Sequence, residues 1–442
     1  MLERYRKISK SVLFLVVAEL LIHLVNSSFI LILNLYLRKI GYEDARIAQL
    51  NSYRFLGTLF FAFPLGIFIK GKPLRPFFLA SSLLVPSVSL MLLYSVQNHI
   101  EVLIIPGFIL WGSSFMILSV CSLPFIMRSE KDDVVTEAIS LNFSTWSLAT
   151  IIAGTLITLM SAIGSLDIGW LKLQFDEYHM LVVISCLGYL SPFFMLRIKE
   201  AKPRSDSRKF ATNLRALHLD YDWFLIGRVL IPNMLIAVGA GLTIPFVNLF
   251  FNSVFHLEAE AFSMIGAAAS VIVFVSMLVI PVIRRRYGFT KAIMLPQSLA
   301  IFFLVVLAVT QLIDYMSWAV YVAIGAFLLR QPLMNMAGPV TSELGMKYVG
   351  ERNQELISAL SSSIWSASWF ISARIFQVLR QLDLDYYQIF FITALLYSVG
   401  VLFYYLLIRD FKAHHPDHNL DGDGPKKVKI TKVREESIQR WK

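Results

Sequence analysis

The sequence is poor in charge and in cysteine. Only 16% of its 442 residues are Asp, Glu, Lys or Arg, against about 25% in an average soluble domain. Its two cysteines, Cys121 and Cys186, both fall in apolar stretches. That excludes a disulfide framework and a cysteine-based metal centre. No Gly-x-x-x-x-Gly-Lys phosphate loop occurs, so nothing points to an ATP-driven pump. No polar stretch is long enough to form a sizeable soluble catalytic domain either.

What the chain has in excess is apolar residues, 57% of the total, with a mean hydropathy of +0.65. They are sorted into twelve runs: 11–37, 47–69, 77–95, 102–127, 134–162, 178–196, 223–251, 262–283, 292–312, 318–340, 356–378 and 387–408. A bilayer core about 30 Å thick is crossed by about 20 apolar residues in a helix. Helices are required, because an unpaired backbone amide in lipid costs several kcal/mol. A transmembrane barrel would show ten-residue alternating segments, and these runs are continuous. The short basic start, 1–10, precedes a run too long for a signal-peptide core, and the run is read as a retained first span.

The net charge of +10 could suggest a nucleic-acid partner, but its distribution argues against one. With the N-terminus inside, 31 of the 40 lysines and arginines lie in inside segments and 5 in outside loops. The other four, Arg54, Arg228, Arg330 and Arg374, lie within spans. This asymmetry predicts both termini on the cytoplasmic side of a plasma membrane, with basic loops against anionic headgroups.

The basic stretch 197–222 divides the spans six and six. Asn34-Leu35-Tyr36-Leu37 ends the first span and Asn248-Leu249-Phe250-Phe251 the seventh. Ile139-Ser140 with Trp146-Ser147 opens the fifth, as Ile357-Ser358 with Trp365-Ser366 opens the eleventh, and Pro64 and Pro281 sit late in the second and eighth. The near-constant offset predicts two parallel repeats. The expected fold is all-α and polytopic, with twelve transmembrane helices in two pseudo-symmetric bundles, 11–196 and 223–408, and a polar tail at 409–442.

In this architecture the chain resembles the major facilitator superfamily over roughly 11–409. That family carries a basic turn, Gly-x-x-x-Asp-Arg-x-Gly-Arg-Lys, between its second and third helices. Here Gly66 and Arg75 match it, with Lys70 in place of the acid. After the eighth span Arg286 and Gly288 match, with Arg285 in place of the acid. The resemblance marks Gly66, Arg75, Arg286 and Gly288 as gating turns. The family's drug antiporters have Gly-Pro in the fifth helix and an arginine early in the fourth. Gly154 lacks the proline and span four has no arginine, so that branch is not matched. The segment Gly239–Phe246 is similar to that of a broad set of prokaryotic permeases.

Charges inside the spans mark the candidate site, since they are costly in lipid and face protein or water. Glu19 is the acid placed deepest, and His23, Asn26, Ser27 and Asn34 lie within about 80° of one helix face. Glu19 and His23 are read as a proton-coupling pair. The bland alternatives are a carboxylate permanently paired with an arginine or amide, and a histidine that merely packs. Arg330 falls mid-span beside Gln331, Pro332 and Asn335, where the proline predicts a kink. It is read as receiving a carboxylate or phosphate, or as pairing with Glu19. Arg54, near Asn51, and Arg374 complete the expected substrate and cavity residues: Asn26, Asn34, Arg54, Arg330, Gln331, Asn335 and Arg374. In the family the first, fourth, seventh and tenth helices line the central path. Trp111, Trp146, Trp365 and Trp369 are candidate pocket aromatics.

In the tail, Asp417-His418-Asn419-Leu420-Asp421-Gly422 has the first half of a calcium loop, but the twelfth position is Val428 and Pro425 interrupts it. No metal or organic cofactor is expected, only protons as the coupling ion. The functional expectation is a monomeric secondary transporter in the lipid bilayer, not an enzyme, moving a small polar, anionic or zwitterionic organic molecule by alternating access. The competing expectations are a polyspecific exporter of amphipathic compounds, an uncoupled facilitator or lipid transporter, and a lipid-modifying enzyme using His23 and Asn26. The last lacks a second catalytic cluster.

Overall fold

The computed structural model describes residues 2–168, 171–200, 221–257 and 259–414. Most of the linker and nearly all of the tail, including its calcium-like loop, lie outside the described residues. The chain forms α1 (Lys10–Lys39), α2 (Asp44–Ile69), α3 (Arg75–Gln97), α4 (Glu101–Ser129), α5 (Val135–Ile163) and α6 (Glu177–Met195). The second half forms α7 (Trp223–Phe255), a long helical stretch Ala259–Thr310, then α10 (Ala319–Val349), α11 (Gln354–Gln381) and α12 (Tyr386–His414). The long stretch is broken at Gly288, whose φ of 75° and ψ of 177° no helix allows. Its two arms are α8 and α9.

Ten stretches among the described residues are long and apolar enough to cross a membrane. One of them, Met264–Ile313, holds both α8 and α9, while α10 is not among the ten. Arg330, Gln331 and Asn335 dilute its apolar character. The twelve expected helices are therefore all present. A two-stranded hairpin, β1 (Ser165–Ile168) with β2 (Leu171–Gln174), joins α5 to α6 as an addition to the all-α fold.

Local chemistry sets several helix ends. The Ser9 hydroxyl accepts from Val12 N at 3.3 Å, Asp176 from His179 N at 2.8 Å, and Asp222 from Leu225 N at 3.1 Å. These side chains satisfy amides that have no partner in the first turn. Two helices are interrupted at related places. α1 has a π-helical turn at Phe29–Leu33, and α7 a 3-10 turn at Ile244–Phe246 around Pro245.

Each half has its own apolar core. One runs from Ile8 to Ile198 and takes in Ala359 from the other half; the second runs from Tyr221 to Phe411. The outer surface is apolar too: Leu35, Phe60, Phe61, Leu190, Phe193, Leu295 and Phe302 are all exposed. An aqueous surface does not carry such a band. The halves meet along α2 against α11 and α5 against α8. One end of the molecule carries the start of α1, the end of α12 and the basic loops, and forms its basic face.

Candidate functional site

A cavity of about 610 Å³ lies between the two bundles, within the range of small-molecule sites. It is lined from the first half by Glu19, His23, Asn26, Arg54, Asn142 and Trp146, among others. From the second half come Asn233, Gln297, Arg330, Gln331, Asn335 and Trp365.

Glu19 on α1 is 2% exposed. Ser122 of α4 donates to its Oε1 and the Asn142 amide of α5 donates to its Oε2. Both partners are neutral, and no ion pair to Glu19 is formed among the described residues. The carboxylate thus draws three helices together without a compensating cation. His23, one turn on, shares a hydrogen bond of 2.9 Å with the Thr145 hydroxyl and packs edge-on to Trp146 at 5.1 Å.

Arg330 on α10 is 2% exposed. Its Nη1 donates to Gln331 Oε1 and its Nη2 to the Tyr397 hydroxyl, both at 3.4 Å. The expected alternative of an ion pair with Glu19 is not formed. Arg54 lies with its guanidinium over Trp111 at 4.7 Å and Phe55 at 5.2 Å, again with no carboxylate partner. Two cations from opposite halves therefore enter one cavity held by neutral and aromatic groups. Asn26 Nδ2, Gln297 Oε1 and Arg330 Nε are buried without a hydrogen-bond partner. Buried polar groups are nearly always paired, so these are the atoms a bound molecule or water would satisfy.

Glu19, His23, Asn26, Arg54, Arg330, Gln331 and Asn335 are thus brought together. Asn34 and Arg374 are not. Asn34 is exposed and accepts from Asn51 at 2.8 Å. Asn26 is the last residue of α1 in the cavity wall, and Asn34 lies eight residues, about 12 Å, further along the helix. Arg374 lies beyond the lining part of α11, exposed, and donates to Gln377 at 3.1 Å. Of the four tryptophans, Trp146 and Trp365 line the cavity. Trp111 packs beneath Arg54, and Trp369 stacks on Phe55. Ser122, Asn142, Thr145 and Tyr397 carry no signal in the sequence. Serine and threonine are common in these spans, and nothing in the spacing pairs α4 or α5 with Glu19.

The cavity is closed toward the basic face. Three ion pairs join the halves there: Arg128 with Glu355, Arg285 with Glu137 at 3.5 Å, and Lys347 with Asp132 at 3.1 Å. Thr136 donates to Glu343, which also takes Arg284 at 2.9 Å. Gly66 belongs to this closure, since a Cβ on it would collide with Ala359 of α11. Gly288 ends α8 so that Arg284 and Arg285 point into the contact.

The other two expected gating residues sit elsewhere. Arg286 is exposed over the Tyr287 ring at 5.4 Å, one position round the helix from the contact. Arg75 donates to the Leu196 carbonyl, within its own half. The family's acid is replaced by cations at Lys70 and Arg285, and the acids Glu137 and Glu355 stand at the starts of α5 and α11 instead. At the opposite ends, α1 and α7 show no comparable packing among the described residues.

A family model described as the Major Facilitator Superfamily matches residues 15–373. No curated protein matches the chain in sequence. Among solved structures, it is similar to a bacterial homologue of the iron transporter ferroportin in an outward-facing state. That match has a TM-score of 0.74 at 13% identity, covering 90% of this chain and 99% of that one. FucP, a transporter in the outward conformation, gives 0.72 at 13% identity, covering 90% and 99%. The proton:xylose symporter XylE bound to 6-bromo-6-deoxy-D-glucose gives 0.66 at 12%, covering 90% and 95%. At these identities the likeness is one of fold.

Proposed function

Because the chain belongs to the Major Facilitator Superfamily, we propose that it is a proton-coupled secondary transporter of a small polar, anionic or zwitterionic organic molecule. The closed basic face is read as the cytoplasmic one, which makes this an outward-facing arrangement. The observation that carries the reading is Glu19, a carboxylate in the cavity wall held by Ser122 and Asn142 with no cation beside it. A proton that binds this carboxylate in one facing state and leaves it in the other biases the equilibrium by its differential affinity for the two states.

Arg54 and Arg330 support an anionic or zwitterionic cargo. Neither has a carboxylate partner, and a bidentate carboxylate is the group a guanidinium holds best. The xylose symporter among the fold neighbours is named as proton-coupled, which fits the coupling proposed here. The test is reconstitution in vesicles with an internal pH dye, challenged with a panel of organic acids, amino acids and sugars. A hit should acidify the lumen with wild type. With Glu19→Gln the same hit should exchange across the membrane without moving protons. If Glu19→Gln couples as well as wild type, the carboxylate is not the coupling group.

A further inference from the structure

A second cavity, of about 870 Å³, opens on the basic face, away from the central one. Lys10 and Phe14 of α1, Arg75 and Pro76 of α3, and Leu196 to Glu200 after α6 line it. Four cations converge there: Lys10, Arg75, Arg197 and Lys199. The one acid is already committed. Glu200 accepts from Leu74 N at 2.8 Å and from Arg75 N at 3.0 Å, capping α3. Lys10, Arg197 and Lys199 form no ion pair among the described residues. Arg197 instead lies over the Phe193 ring at 4.1 Å, and the Lys199 backbone is held by the Ser11 hydroxyl, which donates to Lys199 O at 3.0 Å.

Electrostatics leave this pocket short of negative charge. Lys10 and Arg75 are the first residues of α1 and α3, where the helix dipole already presents positive potential. A carboxylate already takes the free amides at each of these ends, Glu130 from Ser9 N and Glu200 from Leu74 N and Arg75 N, which leaves the side-chain charges of Lys10, Arg197 and Lys199 without an anion of their own among the described residues. The pocket also continues into an apolar stripe. Leu190 and Phe193 on α6 and Leu196 just past its end, three residues apart, are 54%, 53% and 56% exposed and lead from the pocket back along the helix. A phosphate in the pocket with hydrocarbon along that stripe satisfies both features at once.

We propose that this pocket binds the phosphate of an anionic glycerophospholipid, with its acyl chains laid along Leu190, Phe193 and Leu196. A free phosphate shares the headgroup chemistry but makes no use of the stripe. The proposal is independent of what the central cavity carries.

Native mass spectrometry of the full-length protein in mild detergent tests it, with phosphatidylglycerol and phosphatidylcholine supplied together. Wild type should retain phosphatidylglycerol in preference to phosphatidylcholine. The Arg197→Glu/Lys199→Glu variant should lose at least about 25-fold of that preference, since each basic residue near an anionic surface is worth about fivefold. Lys10→Ala, an exposed single change, should lose part of it and keeps the test valid if the double variant misfolds. Equal retention of the two lipids by wild type, or unchanged preference in both variants, overturns the proposal. Thermal stabilisation by inorganic phosphate without retention of phosphatidylglycerol assigns the pocket to a free anion and overturns the lipid assignment.

Discussion

Glu137 at the start of α5 and Arg285 at the end of α8 face each other across the bundle boundary at 3.5 Å, the carboxylate almost fully buried. The contact joins the halves with a cation on the turn and an acid on the helix.

Reversing one member sets like charges together where both are shielded from water. Arg285→Glu should loosen the basic face, and Glu137→Arg added to it should restore closure. The coupling expected from a thermal double-mutant cycle is about 0.5–3 kcal/mol. Labelling of Ser342→Cys in the cavity wall, in a background with Cys121 and Cys186 replaced by serine, reports the same opening. Labelling from the basic face should rise in the single variant and fall in the pair.

Gly66 predicts a steric effect on the same equilibrium. A side chain there meets Ala359, and overpacking of this kind costs about 1–3 kcal/mol. Gly66→Val should therefore disfavour the closed basic face. Spin labels on α2 and α11 near that face should move apart; unchanged distances would show that the approach is not needed for closure.

Arg330→Ala removes the buried guanidinium that the proposed cargo would meet. Charged hydrogen bonds are worth about 1.5–3 kcal/mol, so affinity for an anionic hit should drop about tenfold to a hundredfold. Neutral compounds should be unaffected. A thermal-shift titration that finds anionic hits binding wild type and variant alike rules the arginine out as their anchor.

The N-terminal segment lies over the closed face. The Tyr5 hydroxyl donates to the Leu278 carbonyl of α8 at 2.9 Å, Ser9 N donates to Glu130, and Arg4 reaches the Asp133 carbonyl. Burial, with the Glu137 carboxylate adding to it, holds the Tyr5 phenol above its ordinary pKa. A raised phenol contributes stability that is complete below its unfolded pKa of about 10 and lost only as pH climbs through the higher folded value. Tyr5→Phe should cost about 0.5–1.5 kcal/mol at any pH below about 10. Hydrogen exchange of the first turns of the chain should speed up by the same factor at about pH 6 and pH 9.

The long-range plan was legible because a bilayer imposes it. Twelve apolar runs, the basic linker and the repeated Asn-Leu and Trp-Ser pairs place the helices and the two halves. The cavity residues Glu19, His23, Asn26, Arg54 and Arg330 were legible for the same reason, as polar groups that lipid will not accept. Asn34 shares the polar face in the sequence pattern but lies about 12 Å further along α1 than Asn26, where that helix leaves the cavity wall, and a pattern of faces carries no depth. The partners of Glu19 were hidden because Ser122 and Asn142 are joined to it only by packing of α1 with α4 and α5. The motif points to Arg286, whereas helix phase brings Arg285 to Glu137 and leaves Arg286 over Tyr287.

The polar middle of α10 bears on how the protein is made. An arginine at the centre of an isolated inserting helix costs about 2.5–3.5 kcal/mol, and Gln331 and Asn335 add to that. α10 packs most extensively against the α8–α9 pair, which leaves the ribosome before it. The hairpin of α8 and α9 can therefore stand in the membrane ahead of α10 and offer it a protein surface at the moment of insertion, so that biogenesis of the second half depends on the order in which its helices are synthesised.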